Sequence, residues 1–440
     1  SRCTTKIDVA CCSLSFLYRL RRAHSTFIPE HRKNTCFMSV VLNGNALSKR
    51  VQNMAESETL RMAAMARELN AKGFKVINLS IGEPDFDTPE HIKAAAKQAL
   101  DEGFTKYTPV PGTQELREAI CAKFKRDNGL DFKPNQIVVS NGAKQSLINI
   151  FLSLLDEGDE VLILAPYWVS YIEMVKVAGG TPVIVSAGID QDYKPTAAQI
   201  EAAITPKTKA FLFSSPCNPT GSVFSKEALA EIAGVFEKYP YVTILSDEIY
   251  EYINFTGSHH SIGTFESVRD RTATINGFSK GFAMTGWRLG YIGAPEWLAA
   301  ACTKVQGQFT SGANSFGQKA ATLALQADLK ATFEMRDAFL HRRNVVTDLL
   351  NTIPGFKVNL PEGAFYSFPD ISAFFGKSDG SMTIRNADDF SEFLLHKAHV
   401  ATVSGTAFGA PECIRLSFAA AESELRTAIE RIAEAVRGVG

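Results

Sequence analysis

The stretch TATINGFSKGFAMTGWRLGY (272–291) opens on a short apolar run, Thr272–Ile275, and passes at once into a polar cluster that holds Ser279, Lys280 and, further on, Arg288. Working outward, the same arrangement recurs. Ile137–Val139 is followed by Ser140-Asn141-Gly142-Ala143-Lys144. Val161–Leu164 leads into Ala165-Pro166-Tyr167-Trp168, Ala210–Phe213 into SSPCNPTG (214–221), and Val242–Leu245 into SDEIY (246–250). With Val183–Val185 and Leu289–Ile292 these are short Val/Ile/Leu/Phe-rich runs of the kind that form strands buried on both faces. They alternate with helical stretches, which predicts an α/β protein with a mainly parallel sheet. Ligands of such sheets bind beyond the carboxyl ends of the strands, so the five polar clusters are expected to meet in one crevice.

The residue types in those clusters suit a phosphorylated aromatic aldehyde. Gly142 and its neighbours open a helix whose free N–H groups and dipole favour a phosphate. Arg288 adds a forked cation and Ser279 a hydroxyl donor. Trp168 offers a flat face for a ring. Asp247 can pair with a protonated ring nitrogen, Asn218 and Tyr250 with a ring oxygen, and Lys280 can condense with the aldehyde. A lysine with a carboxylate for a pyridine nitrogen is the requirement of pyridoxal 5′-phosphate. Taken singly each residue is ordinary, since a lone lysine is usually a solvated surface group; the joint pattern carries the reading.

The rest of the chain sets bounds. It has 440 residues, 45% hydrophobic and 21% charged, with a formal net charge of −1. Such a chain offers no basic field for nucleic acid and no apolar run of membrane-spanning length, so small metabolites are the expected partners. The eight cysteines, half of them before residue 37, form no CxxC pair or metal-ligand spacing and predict reduced thiols and no metal. Residues 1–37 are basic, hydroxyl-rich and acid-poor, either a transit-like segment, which would place the protein in an organelle matrix, or an upstream extension of a cytoplasmic protein. Residues 48–72 read as one helix ending near Gly73. Residues 113–128 read as another, capped by Thr113 and stopped by Gly129, and 422–437 as an amphipathic C-terminal helix. The expected division is a large domain over 79–326 and a smaller α/β domain from 38–78 plus 327–440.

With those residues assembled, the chain resembles the class I aminotransferases of pyridoxal phosphate fold type I. The matching motifs are INLSIGEPDFDTP (77–89), KYTPVPGTQELREAI (106–120), VVSNGAKQSL (138–147), APYWVSY (165–171), SPCNPTGSV (215–223), LSDEIYE (245–251), NGFSKGFAMTGWRLGY (276–291), PEGAFY (361–366) and CIRLSFA (413–419). The bacterial-type aspartate aminotransferases, with their plant aspartate/prephenate members, are the most similar subgroup. The resemblance implies that Lys280 is the Schiff-base lysine and proton shuttle, and that Asp247 keeps the pyridine nitrogen protonated. Tyr250 and Asn218 would hold the ring oxygen. Arg288, Ser279 and the amides of Gly142, Ala143 and Lys144 would hold the phosphate. Arg415 would clamp the substrate α-carboxylate, with Gly82, Trp168 and Asn218 touching the substrate. Tyr107 would reach the neighbouring subunit's cofactor, which makes a homodimer with shared sites.

The resemblance further implies that Lys144 reads a side-chain carboxylate, favouring L-aspartate with 2-oxoglutarate, giving oxaloacetate and L-glutamate. Aspartate/prephenate or broader specificity is the alternative. Prephenate-using members carry a lysine after an RVQxM-like segment. Here RVQNM (50–54) is followed by Ala55, Glu56, Ser57 and Glu58, an acidic stretch expected to repel a second carboxylate. A nicotinamide dehydrogenase on a similar sheet is disfavoured, because no GxGxxG opens the first strand–helix turn.

Overall fold

The structure, a computed structural model, describes residues 47–440; the extension expected over 1–37, with residues 38–46, lies outside the described residues. In chain order the strands are β1 (Ile77–Asn78), β2 (Ile137–Ser140), β3 (Glu160–Ala165), β4 (Thr181–Ser186), β5 (Thr208–Ser214), β6 (Thr243–Asp247), β7 (Thr272–Gly277), β8 (Gly290–Gly293), β9 (Tyr366–Ser367), β10 (Val400–Ala401), β11 (Val403–Ser404) and β12 (Ile414–Ser417). Each of the seven apolar runs read from the sequence falls on a strand of one sheet, in the order β2-β8-β7-β6-β5-β3-β4. The pairs β3–β4, β3–β5, β5–β6 and β6–β7 are parallel. Strand β8 runs antiparallel to both β2 and β7.

This topology positions the site. Six strands point one way, so their carboxyl ends share one edge. The reversed β8 brings its beginning to that same edge, where Gly290 pairs with both Ser140 and Gly277. Arg288, just before β8, is thereby delivered beside the turn that follows β2. Helices pack on both faces of the sheet. Leu147, Ile150 and Phe151 of the helix Ala143–Leu154 share a buried cluster with Val161, Leu212 and Ile275. Leu229, Ile232 and Phe236 of the helix Lys226–Glu237 are buried with Phe211, Phe213 and Ile244.

Residues Lys49–Gly440 form one compact unit. After residue 330 the chain adds a three-stranded antiparallel sheet, β11-β12-β9, and the strand β10, which pairs in parallel with the early β1. Phe339 and Leu350 of the helix Lys330–Asn351 are buried with Leu425, Ile429 and Ile432 of the helix Glu422–Arg437 and with Tyr366 and Leu416 of the small sheet.

Two helical expectations fare differently. The helix Gln114–Lys123 continues as a π turn, Phe124–Asn128; the Thr113 hydroxyl accepts the Leu116 N–H at 3.4 Å, and Gly129 ends it at φ +68°. The helix expected over 48–72 is instead two helices, Lys49–Gln52 and Glu58–Ala71, separated by Asn53–Ser57. Ser57 takes the extended backbone of an N-cap position, a place serine favours, with Glu58 in the first turn behind it. The Ala55 N–H, lost to helical bonding, donates to Glu173 Oε2 at 3.1 Å.

Candidate active site

A cavity of about 450 Å³ opens at the carboxyl edge of the sheet. It is lined by Lys144 from beyond β2, Trp168 from beyond β3, Asn218 from beyond β5, Asp247 and Tyr250 from β6 and its turn, and Ser279 and Lys280 from beyond β7. Arg288 precedes β8, Arg415 comes from β12, and Gly82 from the segment after β1. A space of this size holds a small organic cofactor and a substrate.

At the turn after β2, Gly142 has φ +85°, and a side chain there would strike the Arg288 guanidinium. The Gly142 N–H is not a free donor, because it bonds the Ser140 carbonyl at 2.8 Å. The free donors are the amides of Ala143 and Lys144, the first two helical residues, which have no acceptor within the helix. Arg288 sits in left-handed backbone, φ +55°, which costs a non-glycine residue about 1 kcal/mol or more. It donates to the Thr285 carbonyl at 2.9 Å and lies against the Asn141 carbonyl at 3.5 Å. The strained turn and the helix start thus bring a guanidinium and two amides to one cavity, a set of donors that suits an anion.

Asp247 is buried, and burial pushes its carboxyl up to about 6. Two hydrogen bonds oppose that push, from the Tyr171 hydroxyl at 2.6 Å and from the Ile249 N–H at 3.2 Å. The Lys280 amine is pushed down to about 8, by burial first, although Glu83 opposes the change. It donates to the Gly82 carbonyl at 2.5 Å and lies 5.8 Å from the Tyr250 ring centre and 5.7 Å from that of Phe365. An amine whose neutral form is accessible near neutrality is suited to nucleophilic and proton-transfer work.

Arg415 is 2% exposed and has no carboxylate partner among the described residues. Its Nη1 donates to Asn218 Oδ1 at 2.9 Å and its Nη2 to the Ser80 carbonyl at 2.6 Å, while Nε is buried without a partner. The guanidinium rests 4.5 Å from the Tyr366 ring centre and 4.9 Å from that of Phe408. A buried, unpaired cation is costly, and an incoming carboxylate would remove that cost. Lys144 lies with its amine 4.8 Å from the Trp168 ring centre; desolvation, then Arg288, pulls the amine below its ordinary value.

The structure therefore lines one cavity with every site residue expected from the sequence except Gly142, which immediately precedes the lining residues Ala143 and Lys144, and Tyr107, which is 98% exposed. Several residues escaped the sequence reading. Tyr171 holds Asp247, and Tyr366 shares a 2.7 Å hydrogen bond with the Tyr250 hydroxyl. Both lie inside quoted motifs, APYWVSY and PEGAFY, which was the available signal. Ser57, Thr59 and Leu60 line the cavity at the helix break; Ser57 falls in the stretch already read as facing a second carboxylate, and nothing in the sequence marked Thr59 or Leu60 as site residues. The acidic stretch is also less uniform than it reads. Glu58 is neutralised by Arg61 at 2.7 Å, which leaves Glu56 as the acid beside Ala55 without an ion pair among the described residues.

The family model for class I and II aminotransferases matches residues 75–432. A Petunia hybrida protein named bifunctional aspartate aminotransferase and glutamate/aspartate-prephenate aminotransferase is 47% identical, over 89% of this chain and 83% of its own. The crystal structure of the Rhizobium meliloti aspartate aminotransferase aligns with a TM-score of 0.87 at 41% identity, over 90% of this chain and 99% of its own. The Thermus thermophilus aspartate aminotransferase, solved with maleate, aligns with a TM-score of 0.83 at 42% identity, over 88% and 99%. The chain belongs to the class I and II aminotransferase family, and it is an α/β enzyme of amino-group transfer with the fold of those neighbours.

Proposed function

We propose that this chain is an aspartate aminotransferase that uses pyridoxal 5′-phosphate, converting L-aspartate and 2-oxoglutarate to oxaloacetate and L-glutamate. The observation that carries the reading is a charge imbalance. Lys144, Lys280, Arg288 and Arg415 all line the cavity, and none is ion-paired among the described residues; the lining carboxylates are Asp247 and Glu83. Such a cavity attracts a phosphate together with a dicarboxylate.

The residues present fit the cofactor. Arg288, Ser279 and the Ala143 and Lys144 amides are placed to hold the phosphate, Asp247 the protonated pyridine nitrogen, Tyr250 and Asn218 the ring oxygen, and Trp168 the ring face. When bound, the cofactor supplies an aldehyde that condenses with amines and a ring that accepts electron density. Arg415 binds the substrate α-carboxylate bidentately and orients the Cα–H bond. Lys280 would take the proton from that Cα as general base and, as general acid, deliver it to C4′ of the cofactor. Lys144 offers its ammonium to the side-chain carboxylate. Gly82 leaves room beside Tyr366, whose hydroxyl a larger residue there would strike.

Residues 38–78 plus 327–440 are read as a small domain beside a large one over 79–326. Tyr107 is read as serving the site of a second copy, which makes the working unit a homodimer. Its exposure supports this, since a tyrosine left in water at 98% has no local partner. Among the described residues no helix is long and apolar enough to cross a membrane. A cytoplasmic or organelle-matrix location suits the small-metabolite chemistry.

The test is a donor and acceptor screen by kcat/KM. Aspartate and glutamate should lead among donors, and oxaloacetate should outpace prephenate among acceptors. Failure of both dicarboxylic donors would overturn the substrate reading. Prephenate use is the second reading, favoured by the printed name of the Petunia relative and opposed here by Ala55 and Glu56.

A further inference from the structure

Three carboxylates crowd the end of β6, for Asp247, Glu248 and Glu251 are all buried. Asp247 lines the cavity, whereas Glu248 and Glu251 turn toward the helix that ends at Asn128 and the loop around His259. Glu248 Oε2 accepts from His259 Nε2 at 2.8 Å, Ser261 Oγ at 2.6 Å and Asn128 Nδ2 at 2.9 Å, and its Oε1 accepts from Ser246 Oγ at 2.9 Å. Asn128 also reaches Glu251 Oε2 at 2.8 Å, while Lys123 donates to Asn128 Oδ1 at 2.6 Å and pairs with Glu251. The ligand atoms of Glu248, Glu251 and His259 lie within 4.8 Å of one another, a spacing a metal ion would accept. Lys123 already supplies a cation there, so the cluster sets two acids against Lys123 and His259, whose Nε2 meets Glu248 while its Nδ1 is buried without a hydrogen-bond partner among the described residues.

That balance matters because Glu248 adjoins Asp247. An uncompensated charge at Glu248 would resist ionisation of Asp247, which burial already disfavours. Burial alone would push His259 down, but the charge and hydrogen bond of Glu248 raise it, with Glu251 adding to the rise and Lys123 opposing it. Glu248 is correspondingly held low by His259 and its hydroxyl donors in spite of burial.

We propose that His259 is a positioning residue for Asp247. By neutralising Glu248 behind the strand end, it keeps the Asp247 carboxylate ionised and directed at the pyridine nitrogen of the cofactor. This rests on the reading of Asp247 as the partner of that nitrogen. His259 touches neither substrate nor cofactor, and no motif drew attention to it.

The experiment measures equilibrium binding to the full-length apo-protein of pyridoxal phosphate and of its analogue with C–H in place of the ring nitrogen. The ratio of the two affinities isolates the Asp247 contact from phosphate binding and from general folding. Wild type should prefer the natural cofactor. His259→Gln should shrink that preference about twofold at about pH 7 and by more at lower pH, the effect of raising the carboxyl's pKa by about one unit. The double variant Glu248→Gln/His259→Gln, which removes the negative charge as well, should regain it. A His259→Gln protein that keeps the wild-type ratio, or that weakens both ligands alike, overturns the proposal, as does a double variant that fails to recover. A wild type that binds the two compounds equally would instead sink the reading of Asp247, and this inference with it. Without any substitution, histidine NMR of the wild-type apo-protein should find His259 titrating above an ordinary exposed histidine; a ring that titrates at or below the ordinary value also overturns it.

Discussion

Replacing Tyr171 by Phe removes one hydroxyl and leaves the packing in place. The ring keeps its edge contact with Trp168, with centroids 5.5 Å apart, while the 2.6 Å hydrogen bond to Asp247 is lost. A hydrogen bond to a charged group is worth ~1.5–3 kcal/mol, and one pKa unit corresponds to ~1.4 kcal/mol. Losing the bond should therefore raise Asp247, now at about 6, by about one to two units. The carboxylate fraction at about pH 7 should fall from about nine-tenths to about half or less. Because a carboxylate partner for a protonated pyridine is lost as pH falls through the carboxyl's pKa, the variant should lose cofactor affinity at a higher pH than wild type. The assay is equilibrium binding of pyridoxal phosphate to apo-protein across about pH 5–9. The second phosphate ionisation of the cofactor is common to both proteins and cancels in the difference between the curves. Superimposable curves would refute the claim that Tyr171 holds Asp247 ionised.

Lys280→Met should stabilise the apo-protein. The amine's folded value of about 8 lies below its unfolded value of 10.5, so wild-type stability is lost as pH falls from about 10.5 to about 8. The gain of the variant by thermal unfolding should be largest below about 8 and vanish above about 10.5; a pH-independent gain would mean that Lys280 is not desolvated. Arg415→Lys replaces a bidentate fork with a point charge and should raise KM for aspartate at least tenfold, about 1.4 kcal/mol, while a variant with unchanged KM would place the α-carboxylate elsewhere. Ala55→Lys should improve kcat/KM for prephenate more than for oxaloacetate, by about 1 kcal/mol at low salt, and the gain should shrink as salt is added. Mixing inactive Tyr107 and Lys280 variants should restore part of the activity, whereas mixed dimers that form and stay inactive would show that the site is not shared.

The central sheet was legible because its inner strands are buried along their length and appear as short apolar runs, whereas the edge strand β4 is largely exposed or half-buried. The later strands were not, since β9, β10 and β11 are two residues long, too short for any periodicity. The reversal of β8 was equally hidden. Its sequence, GYIG, carries no mark of direction; its antiparallel pairing with β7, the strand just before it, and with the distant β2 fixes that. The break at Asn53–Ser57 escaped notice because apolar spacing continues on both sides of it, while the N-cap signal at Ser57 is a single residue.

The candidate site divides along the same physical line. Residues that stand at a strand end, such as Asp247, Asn218 and Lys280, announce themselves by a charged or amide side chain close after a buried run, although Glu248 at the same strand end as Asp247 turns away from the crevice. Residues that act through another side chain carry no such mark. Tyr171 lies 76 positions from Asp247, and His259 lies 11 from Glu248; in sequence each is only an aromatic or a polar residue near a helix or loop. The Gly142 amide shows the limit from the other side. Its place in the turn pointed to phosphate binding, yet the turn itself consumes that N–H in closing on Ser140, so the free donors move one residue along to Ala143 and Lys144. Sequence position identifies which segment faces the ligand. Which atom of that segment is still free to bind depends on the hydrogen bonds the backbone has already made, and those are visible only in three dimensions.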